Sequence, residues 1–542
     1  MMRFEDSLPR LPVPSLEETC QRYLKSLHPL LTPDEYAASE KAVNAFHQQA
    51  ATLQERLVQR AEQPETKSWI IDWWNNDAYL AYKDPVVPYV SYFYSYRDDR
   101  KRRNPAKRAA AITTACLEFQ KEVVNGTLEP EYMRKKPISM SSYKYMFNCS
   151  RVAAEPADYP ALYPPQENQY IIVMRHNQFF KIPTHVQGVQ LNTSELEQQF
   201  TKVYRIAQAS PPIGSLTSLP RDLGAKARAN LIAASTNNKK ALETIEAASF
   251  VVCLDNASPV TLEERARQYW HGDGSNRWYD KPLQFIVNDN GTAGFQGEHS
   301  MMDGTPTHRC SDTINALIVG NRLDFDNPTI RSSLPDPTIV KFDVSKEVIA
   351  DMATAQKLFS EVMADHELKV QAYQGYGKNL IKKFRCSPDA YVQMIIQLAY
   401  HKMFGKNRPT YESAATRKYQ QGRTETTRTV SDDSVAFCDA MANPEMNSSD
   451  CEKLFRKAVD AHVKYTQLAS EGRGVDRHLY GLKKCLKEGE PVPDLFKDPA
   501  YTYSSNWFIS SSQLSSEYFN GYGWSQVIDD GWGIAYMINA NR

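Results

Sequence analysis

The chain has 542 residues and a mass of 61.7 kDa, a length that predicts two sizeable domains with hydrophobic cores of their own. Its 64 basic and 64 acidic side chains give a formal net charge of zero, which argues against a general basic surface for nucleic acid. No apolar run approaches the ~20 residues of a membrane-spanning helix. The 9 cysteines form no C-x-x-C pair, so we expect reduced thiols and no metal site.

The two ends of the chain carry no evident targeting signal. The start, MMRFEDSLPRLPVP, lacks the apolar core of a secretory signal and the pattern of a transit peptide, and the end, INANR, is no peroxisomal tripeptide. The expected location is the cytoplasm. A mitochondrial or peroxisomal location stays open if a leader or tail signal has been removed.

Helices are predicted at the start of the chain. Ser15 and Glu18 have the spacing of a reciprocal capping box, in which each side chain satisfies the other residue's backbone N–H. Thr32 repeats this signal with Pro33 at the first helical position. The apolar residues that follow recur at three-to-four spacing, which predicts one long amphipathic helix to about residue 63.

From Tyr170 onward, short apolar runs alternate with amphipathic stretches. The pattern predicts strands at YIIVMR, FKIP, SFVVCLD, QFIVND and AGFQGEH, and helices at SELEQQFTKVYRIAQA and TLEERARQYW. This alternation is typical of an α/β fold.

The C-terminal part is predicted to begin with helices and to end in strands. One helix covers KEVIADMATAQKLFSEVMADHEL, and a second, capped by Ser387, covers SPDAYVQMIIQLAYHKMFG. The second helix is apolar on nearly every side, so we expect it to be buried. Two final strands, SNWFISSS and GWGIAYMI, are separated by a Gly-, Tyr- and Trp-rich segment that is predicted to be a turn.

The most informative motif follows the predicted strand AGFQGEH. There His299 is followed four residues later by Asp303 and Gly304. An imidazole at the end of a strand can act as a general base. The spacing alone equally fits a structural histidine beside a turn-forming Asp-Gly.

Four further segments, taken with this motif, resemble the carnitine/choline acyltransferase family. They are LPRLPVPSLEETCQRYL, SPDAYVQMIIQLAYHKMFG, TYESAATRKYQQGRTETTR and the run Ser510–Gln513, and they occur in the family's order. The resemblance implies two α/β domains of chloramphenicol acetyltransferase-like topology, with mixed sheets flanked by helices and an active-site tunnel at their interface. It places the catalytic His loop in an N-domain of residues 86–345, with 1–85 and 346–542 in a C-domain, and it implies a monomer.

The resemblance assigns carnitine as the acyl acceptor. Choline enzymes of the family carry Val-Asp-Asn where this chain has Thr-Glu-Thr at 424–426. Carnitine has a carboxylate, which needs donors and a cation once it is buried, whereas choline has none. The carboxylate-binding residues implied are Tyr411, Thr424 and Arg477. On its own, Arg477 would be interpreted as a surface arginine beside Asp476.

Coenzyme A is the implied co-substrate, and no permanently bound cofactor is expected. The family's phosphate-binding lysines match Lys378 and Lys382, which would lie on one helical face or converge from a loop. Its adenine-contacting acid matches Asp389. An acid at that position is also favoured simply by the helix dipole.

The resemblance further implies that His299 is the general base and that the hydroxyl of Ser512 stabilises the oxyanion. Asp303 would pair with Arg423 and stiffen the loop, and both substrates would meet in a ternary complex without an acyl-enzyme. Tyr522 falls where acetyl-specific relatives place a large residue, so we expect short acyl chains. Trp524 would lie near the trimethylammonium group.

Four alternatives stay open at this point. Choline acetyltransferase and medium-chain carnitine acyltransferase activities would use the same fold. A condensation-type domain shares the motif but usually doubles the histidine, where this chain has Glu298. A catalytically dead interaction homologue would be expected to have lost some of these residues.

Overall fold

Two sheets with helices on their faces organise the chain in the computed structural model, which describes residues 1–542. The α-helices are α1 Leu16–Leu27, α2 Pro33–Gln49, α3 Ala51–Glu62, α4 Ile71–Asn75, α5 Val86–Tyr89, α6 Pro105–Val124, α7 Thr193–Ile206, α8 Arg221–Ala234, α9 Thr236–Ala247, α10 Leu262–Trp270, α11 Gly304–Val319, α12 Lys346–Ala364, α13 Lys378–Lys383, α14 Pro388–Phe404, α15 Asp432–Ala442, α16 Ser448–Ser470, α17 Asp476–Lys484, α18 Asp494–Lys497 and α19 Pro499–Ser504.

The strands form one large sheet, one smaller sheet and three two-stranded ribbons. Their bounds are β1 Ser91–Tyr96, β2 Tyr132–Met133, β3 Lys136–Pro137, β4 Cys149–Val152, β5 Tyr159–Leu162, β6 Tyr170–Arg175, β7 Gln178–Pro183, β8 His185–Val186, β9 Val189–Gln190, β10 Val251–Asp255, β11 Gln284–Asn288, β12 Ala293–Glu298, β13 Thr338–Val340, β14 Thr410–Ala415, β15 Thr424–Arg428, β16 Ile509–Gln513, β17 Phe519–Trp524 and β18 Trp532–Tyr536.

The large sheet has eight strands in the order β13-β7-β6-β10-β11-β12-β1-β17. Strands β6, β10 and β11 run parallel, and the other pairs are antiparallel. Successive side chains alternate between its faces, so Ile171 and Val173 join the core beneath α6, α7 and α11, while Ile172 and Met174 join the core beneath α8, α9, α10 and α12. The predicted α/β fold with mixed sheets flanked by helices is confirmed.

The smaller sheet has the order β15-β14-β16-β18, with β14, β16 and β18 parallel and β15 antiparallel. The N-terminal helices pack with α17 to α19 in a separate core that contains Phe46, Leu57 and Leu479. The predicted domain limits at 86 and 345 stay a prediction. Strand β17 lies outside those limits in sequence and yet pairs with β1 in the large sheet. No helix has the length and apolar character needed to span a membrane.

The N-terminal helical prediction needs two corrections. The single long helix is wrong, because the chain breaks at Ala50, whose ψ of 2° is not helical. At this break, Gln49 and Asp494 form two hydrogen bonds of 2.9 and 2.8 Å. The local sequence does not predict this tertiary contact. The reciprocal capping box is also incomplete: Ser15 caps α1, but the Glu18 carboxylate is an ion-pair partner of Arg473.

Two expectations for the C-terminal part are also wrong. Helix α14 is only partly buried, with Ile395 at 43% and Met403 at 62% exposure, because it packs on the smaller sheet and on α15 and α16 but leaves its remaining face to solvent. The expected Gly-, Tyr- and Trp-rich turn contains strand β17. Its Gly523 lies so close to Phe93 that a Cβ would stand 2.8 Å from that ring, so glycine permits the strand pairing.

Candidate active site

The end of strand β12 fixes the position of His299. The backbone N–H of His299 donates to the carbonyl of Val90 at 3.0 Å. The imidazole stacks on the Tyr79 ring at 5.3 Å and 15°, and it meets the Tyr92 ring edge-on at 5.3 Å and 83°. The ring is therefore held between two aromatic side chains.

The electrostatics of the loop keep His299 neutral. Burial lowers its pKa below the usual histidine value, Arg423 adds to the lowering, and Asp303 opposes it. The Nδ1 atom is buried without a hydrogen-bond partner. A neutral imidazole in this position can accept a proton near neutral pH.

Arg423 clamps the His299 loop from one side. It forms an ion pair with Asp303 at 3.0 Å and donates to the carbonyl of His299 at 3.1 Å and to that of Ser300. Its guanidinium also lies 4.4 Å from the centre of the Tyr79 ring. The expected pairing of Asp303 with Arg423 is present, and Arg423 also bonds to the backbone of His299.

Arg151 also holds this loop in place, a role that no sequence motif predicted. This buried guanidinium donates to Glu298 at 3.2 Å and to the carbonyl of Tyr79 at 2.8 Å. Glu298 in turn accepts from the backbone N–H of Ser300 at 2.9 Å and from its hydroxyl at 2.8 Å. Arg151 therefore bonds to both segments that carry the stacked rings of Tyr79 and His299.

Tyr79 is the second residue that sequence reasoning missed. Burial raises the pKa of its hydroxyl to about 12, while the positive charges of Arg423 and Arg477 oppose the rise. It stands in a short π-helical turn, Asn76–Leu80. The dense aromatic run WIIDWWNNDAYLAY was the only available signal.

Arg477 lies against strand β15 at the start of α17. Its side chain donates to the Thr424 carbonyl at 3.0 Å and to the Thr424 hydroxyl at 3.5 Å, and it lies 3.7 Å from the Trp74 ring centre. It is buried rather than on the surface. Burial acts to lower its pKa, but Tyr411 and Glu425 nearby raise that pKa above the usual arginine value. Arg477 and Thr424 are thus in direct contact, and Tyr411 of the neighbouring strand β14 contributes to the electrostatic environment of Arg477.

Strand β16 carries Ser512 two residues beyond Ser510, which pairs with Tyr411 of β14. The Ser511 hydroxyl donates to the Tyr411 carbonyl at 2.8 Å, joining β16 to β14. The Ser512 hydroxyl is partly accessible and has no hydrogen-bond partner within the protein. It remains free to donate to a ligand.

Strand β17 places Tyr522 and Trp524 on one face, because residues two apart share a face. Trp524 lies opposite Tyr92 and Tyr522 lies opposite Tyr94 in the pairing of β17 with β1. Tyr522 is 8% exposed, and its ring centre is 5.5 Å from that of Trp524. Both therefore share a sheet face with Tyr92, which touches the His299 ring.

Lys378 and Lys382 are one turn apart on α13, so the helical arrangement is the one observed. Lys382 is exposed and Lys378 is partly so, and neither belongs to an ion pair. They form a basic pair on α13 that is accessible to a ligand.

Asp389 lies in a buried cluster in the first turn of α14. It accepts a hydrogen bond from the Tyr536 hydroxyl at 2.7 Å, and burial followed by the nearby Glu412 raises its pKa to about 7. His462 bonds to Glu412 at 2.8 Å. Ligand atoms of these two acids and His462 lie within 4.8 Å of one another, a grouping the sequence did not predict. The Tyr536 hydroxyl lies 2.7 Å from Asp389 and 3.1 Å from Glu412, so it links the two acids, and their titrations are coupled.

Comparison with known proteins gives one consistent match. The family model described as Choline/Carnitine o-acyltransferase matches residues 11–542. The chain is 39% identical to "Carnitine O-acetyltransferase, mitochondrial" of Saccharomyces cerevisiae, covering 99% of this chain and 82% of that protein. It is 32% identical to the Homo sapiens protein named "Carnitine O-acetyltransferase" and 31% identical to the "Choline O-acetyltransferase" of Mus musculus, each over 98% of this chain and 87% of the relative.

Proposed function

Because this chain belongs to the choline/carnitine O-acyltransferase family, we propose that it transfers a short acyl group reversibly between coenzyme A and the hydroxyl of carnitine. The single observation that supports this most is the neutral His299, held between two rings and clamped by Arg423. The matching relatives named for carnitine add support.

The proposed mechanism is general-base catalysis within a ternary complex. His299 takes the proton of the carnitine hydroxyl as that oxygen attacks the thioester carbonyl. The unpaired Ser512 hydroxyl donates to the oxyanion, a contribution of ~3 kcal/mol in comparable sites. The imidazolium then returns its proton to the departing coenzyme A thiolate, and the reverse reaction uses the same steps.

The proposed carnitine site is formed by Arg477, Thr424 and Tyr411. A buried guanidinium with free donors is suited to a carboxylate, and stranding that carboxylate unpaired would cost several kcal/mol. Choline lacks the carboxylate, so this site favours carnitine. Trp524 is proposed to face the trimethylammonium group through its ring.

Coenzyme A is proposed to approach from the side of α13. Lys378 and Lys382 are cations without an acidic partner, which suits a phosphate. Asp389 is proposed to contact the adenine, and Tyr522 to limit the acyl length. No permanently bound cofactor is required by these steps.

The location and the oligomeric state are secondary proposals. The yeast relative carries "mitochondrial" in its name, so mitochondria are the first compartment to test beside the cytoplasm. A monomer is the proposed state.

The decisive test compares carnitine with choline. Purified protein is incubated with acetyl-coenzyme A and either alcohol, and a thiol reagent reports product. We expect carnitine to be used, and Arg477→Asn to raise the carnitine KM at least ~tenfold while leaving the coenzyme A KM unchanged. Arg205→Asn, at an exposed arginine, is the matched control. Choline use above carnitine use, or equal KM changes for both substrates, would contradict the assignment.

A further inference from the structure

A hydrogen bond joins the proposed acyl gate to the proposed oxyanion strand. The Tyr522 hydroxyl donates to the main-chain carbonyl of Ser512 at 2.5 Å. Tyr522 belongs to the large sheet, whereas Ser512 belongs to the smaller sheet, so this bond crosses from one sheet to the other. The Tyr522 side chain thus makes a polar contact through its hydroxyl, in addition to the space that its ring fills.

Strand β16 pairs with β14 as far as Ser511 and with β18 as far as Gln513, and the side chain of Ser511 adds further bonds. Gln393 donates to the Ser511 hydroxyl at 3.0 Å, and that hydroxyl donates to the Tyr411 carbonyl. The Ser512 side chain has no such partner. Its direction therefore depends on the backbone at Ser512, whose carbonyl receives the Tyr522 hydroxyl.

The Tyr522 ring cannot move without breaking this bond. It is 8% exposed and lies against Trp524, so an acyl tail that needs its space must displace it. Displacement removes the Tyr522 hydrogen bond from the Ser512 carbonyl and leaves the pairing with β18 to hold that backbone, at the moment when the Ser512 hydroxyl must meet the oxyanion. A donor misplaced by about 1 Å loses much of its effect on the rate.

We infer that Tyr522 is a positioning residue as well as a gate: its hydroxyl aligns Ser512, so that an acyl group too long for the pocket also misaligns the oxyanion donor. The inference rests on the proposed function, which supplies the roles of Ser512 and the acyl pocket. Rejection of longer chains then appears in kcat as well as in KM. A gate acting through bulk alone would not depend on the hydroxyl.

The test separates the ring from the hydroxyl. Tyr522→Phe keeps the ring, and Tyr522→Gly removes both, while Tyr96→Phe removes an equally buried hydroxyl that bonds to Ser311 and serves as control. For each variant, kcat and KM are measured with acetyl-, butyryl- and octanoyl-coenzyme A. The melting temperature is followed in parallel.

For Tyr522→Phe we expect kcat with the acetyl substrate to fall about tenfold, with the KM within about twofold and octanoyl use still poor. Tyr522→Gly should lose the same kcat and accept octanoyl. In a Ser512→Ala background, the Phe change should cost nothing further, because the donor it aligns is gone. Tyr96→Phe should keep wild-type kcat.

Three outcomes would overturn parts of this scheme, and they are distinguishable. Wild-type kcat in Tyr522→Phe, or an additive loss on top of Ser512→Ala, overturns the alignment by the hydroxyl and leaves the proposed function standing. An active Ser512→Ala variant overturns the oxyanion role itself. A wild-type protein without carnitine acetyl transfer overturns the proposed function, and the alignment with it.

Discussion

The His299 loop and helix α13 are built in opposite ways. Two buried arginines hold the loop: Arg423 bonds to its backbone, and Arg151 bonds to the Glu298 carboxylate and to the carbonyl of the stacking Tyr79. On α13, Lys378 and Lys382 stand at the surface without an acidic partner. The charged groups that hold the His299 loop are paired within the protein, whereas the two lysines of α13 are not.

The difference indicates what each region must do. A general base is useful only in one orientation, so buried charge in the loop stabilises a geometry. The two lysines of α13 have no acidic partner within the protein and are available to bind an anionic ligand. A lysine ammonium does so as a point charge. Changes in the loop should therefore affect rate and stability, and changes on α13 should affect binding.

The largest expected effect is at His299. Changing His299 to Ala should lower kcat by about 10²–10⁴-fold, because the proposed general base is removed. Coenzyme A binding and the melting temperature should stay close to wild type. The exposed His47→Ala is a matched control. A variant that keeps more than about a tenth of the activity would show that another base operates.

Arg423 tests whether the clamp itself matters. Arg423→Gln leaves the buried Asp303 carboxylate without its cation, which ordinarily costs about 3–5 kcal/mol. We expect a loss of that size in the free energy of unfolding, together with a lower kcat.

Arg423→Lys supplies the control for this change, since it keeps the charge and loses the fork that reaches the His299 and Ser300 carbonyls. Compared with Arg423→Gln, the Lys variant should recover most of the lost free energy of unfolding but little of the lost kcat. Full recovery of both would mean that charge alone, rather than orientation of the loop, is what Arg423 supplies.

The sequence predicted most of the strands and helices because their apolar periodicity is local. It failed where a partner far along the chain decides the structure. Strand β17 has a glycine-rich sequence typical of turns, and only pairing with β1 makes it a strand. The break at Ala50 likewise follows from the contact of Gln49 with Asp494.

The same distinction holds within the site. His299, Asp303 and Arg423 were proposed from motifs, and the structure brings them into contact. Arg151 and Tyr79 were missed because their roles depend on burial and on distant partners, and neither lies in a motif with a chemical signature. In the sequence alone, nothing distinguishes Arg151, in the strand CSRV, from an arginine that has no contact with the candidate active site.

The lysines of α13 should give a smaller effect, confined to the cofactor. Changing both Lys378 and Lys382 to Ala should weaken coenzyme A about tenfold at low salt and bind dephospho-coenzyme A as well as wild type does, with less effect at high salt. The exposed neighbour Lys383→Ala is the control. A preference for the phosphorylated cofactor that survives the double change would place the phosphate elsewhere in the basic run.

The smallest expected effect is a shift along the pH axis. Burial lowers the pKa of His299, so the base stays neutral until the pH falls below the ordinary histidine value of about 6.5. The profile of log kcat/KM against pH should be flat near neutrality and fall only on the acid side of that value. Asp303 raises the His299 pKa, so Asp303→Asn should move this acid limb to still lower pH, whereas Lys378→Ala should leave it in place.

Acid unfolding must be distinguished from the acid limb of the pH profile, because both lower the measured activity as the pH falls. Burial also lowers the pKa of His478, to about 3, so the folded state resists a proton that the unfolded chain accepts. The stability that this neutral histidine contributes is complete above about pH 6.5 and declines as the pH falls toward 3.

Melting temperatures measured at each pH identify the range in which the protein stays folded. Within that range, an acid limb above about pH 6.5, or one that moves upward in Asp303→Asn, would show that the buried His299 is not the group whose protonation stops the reaction.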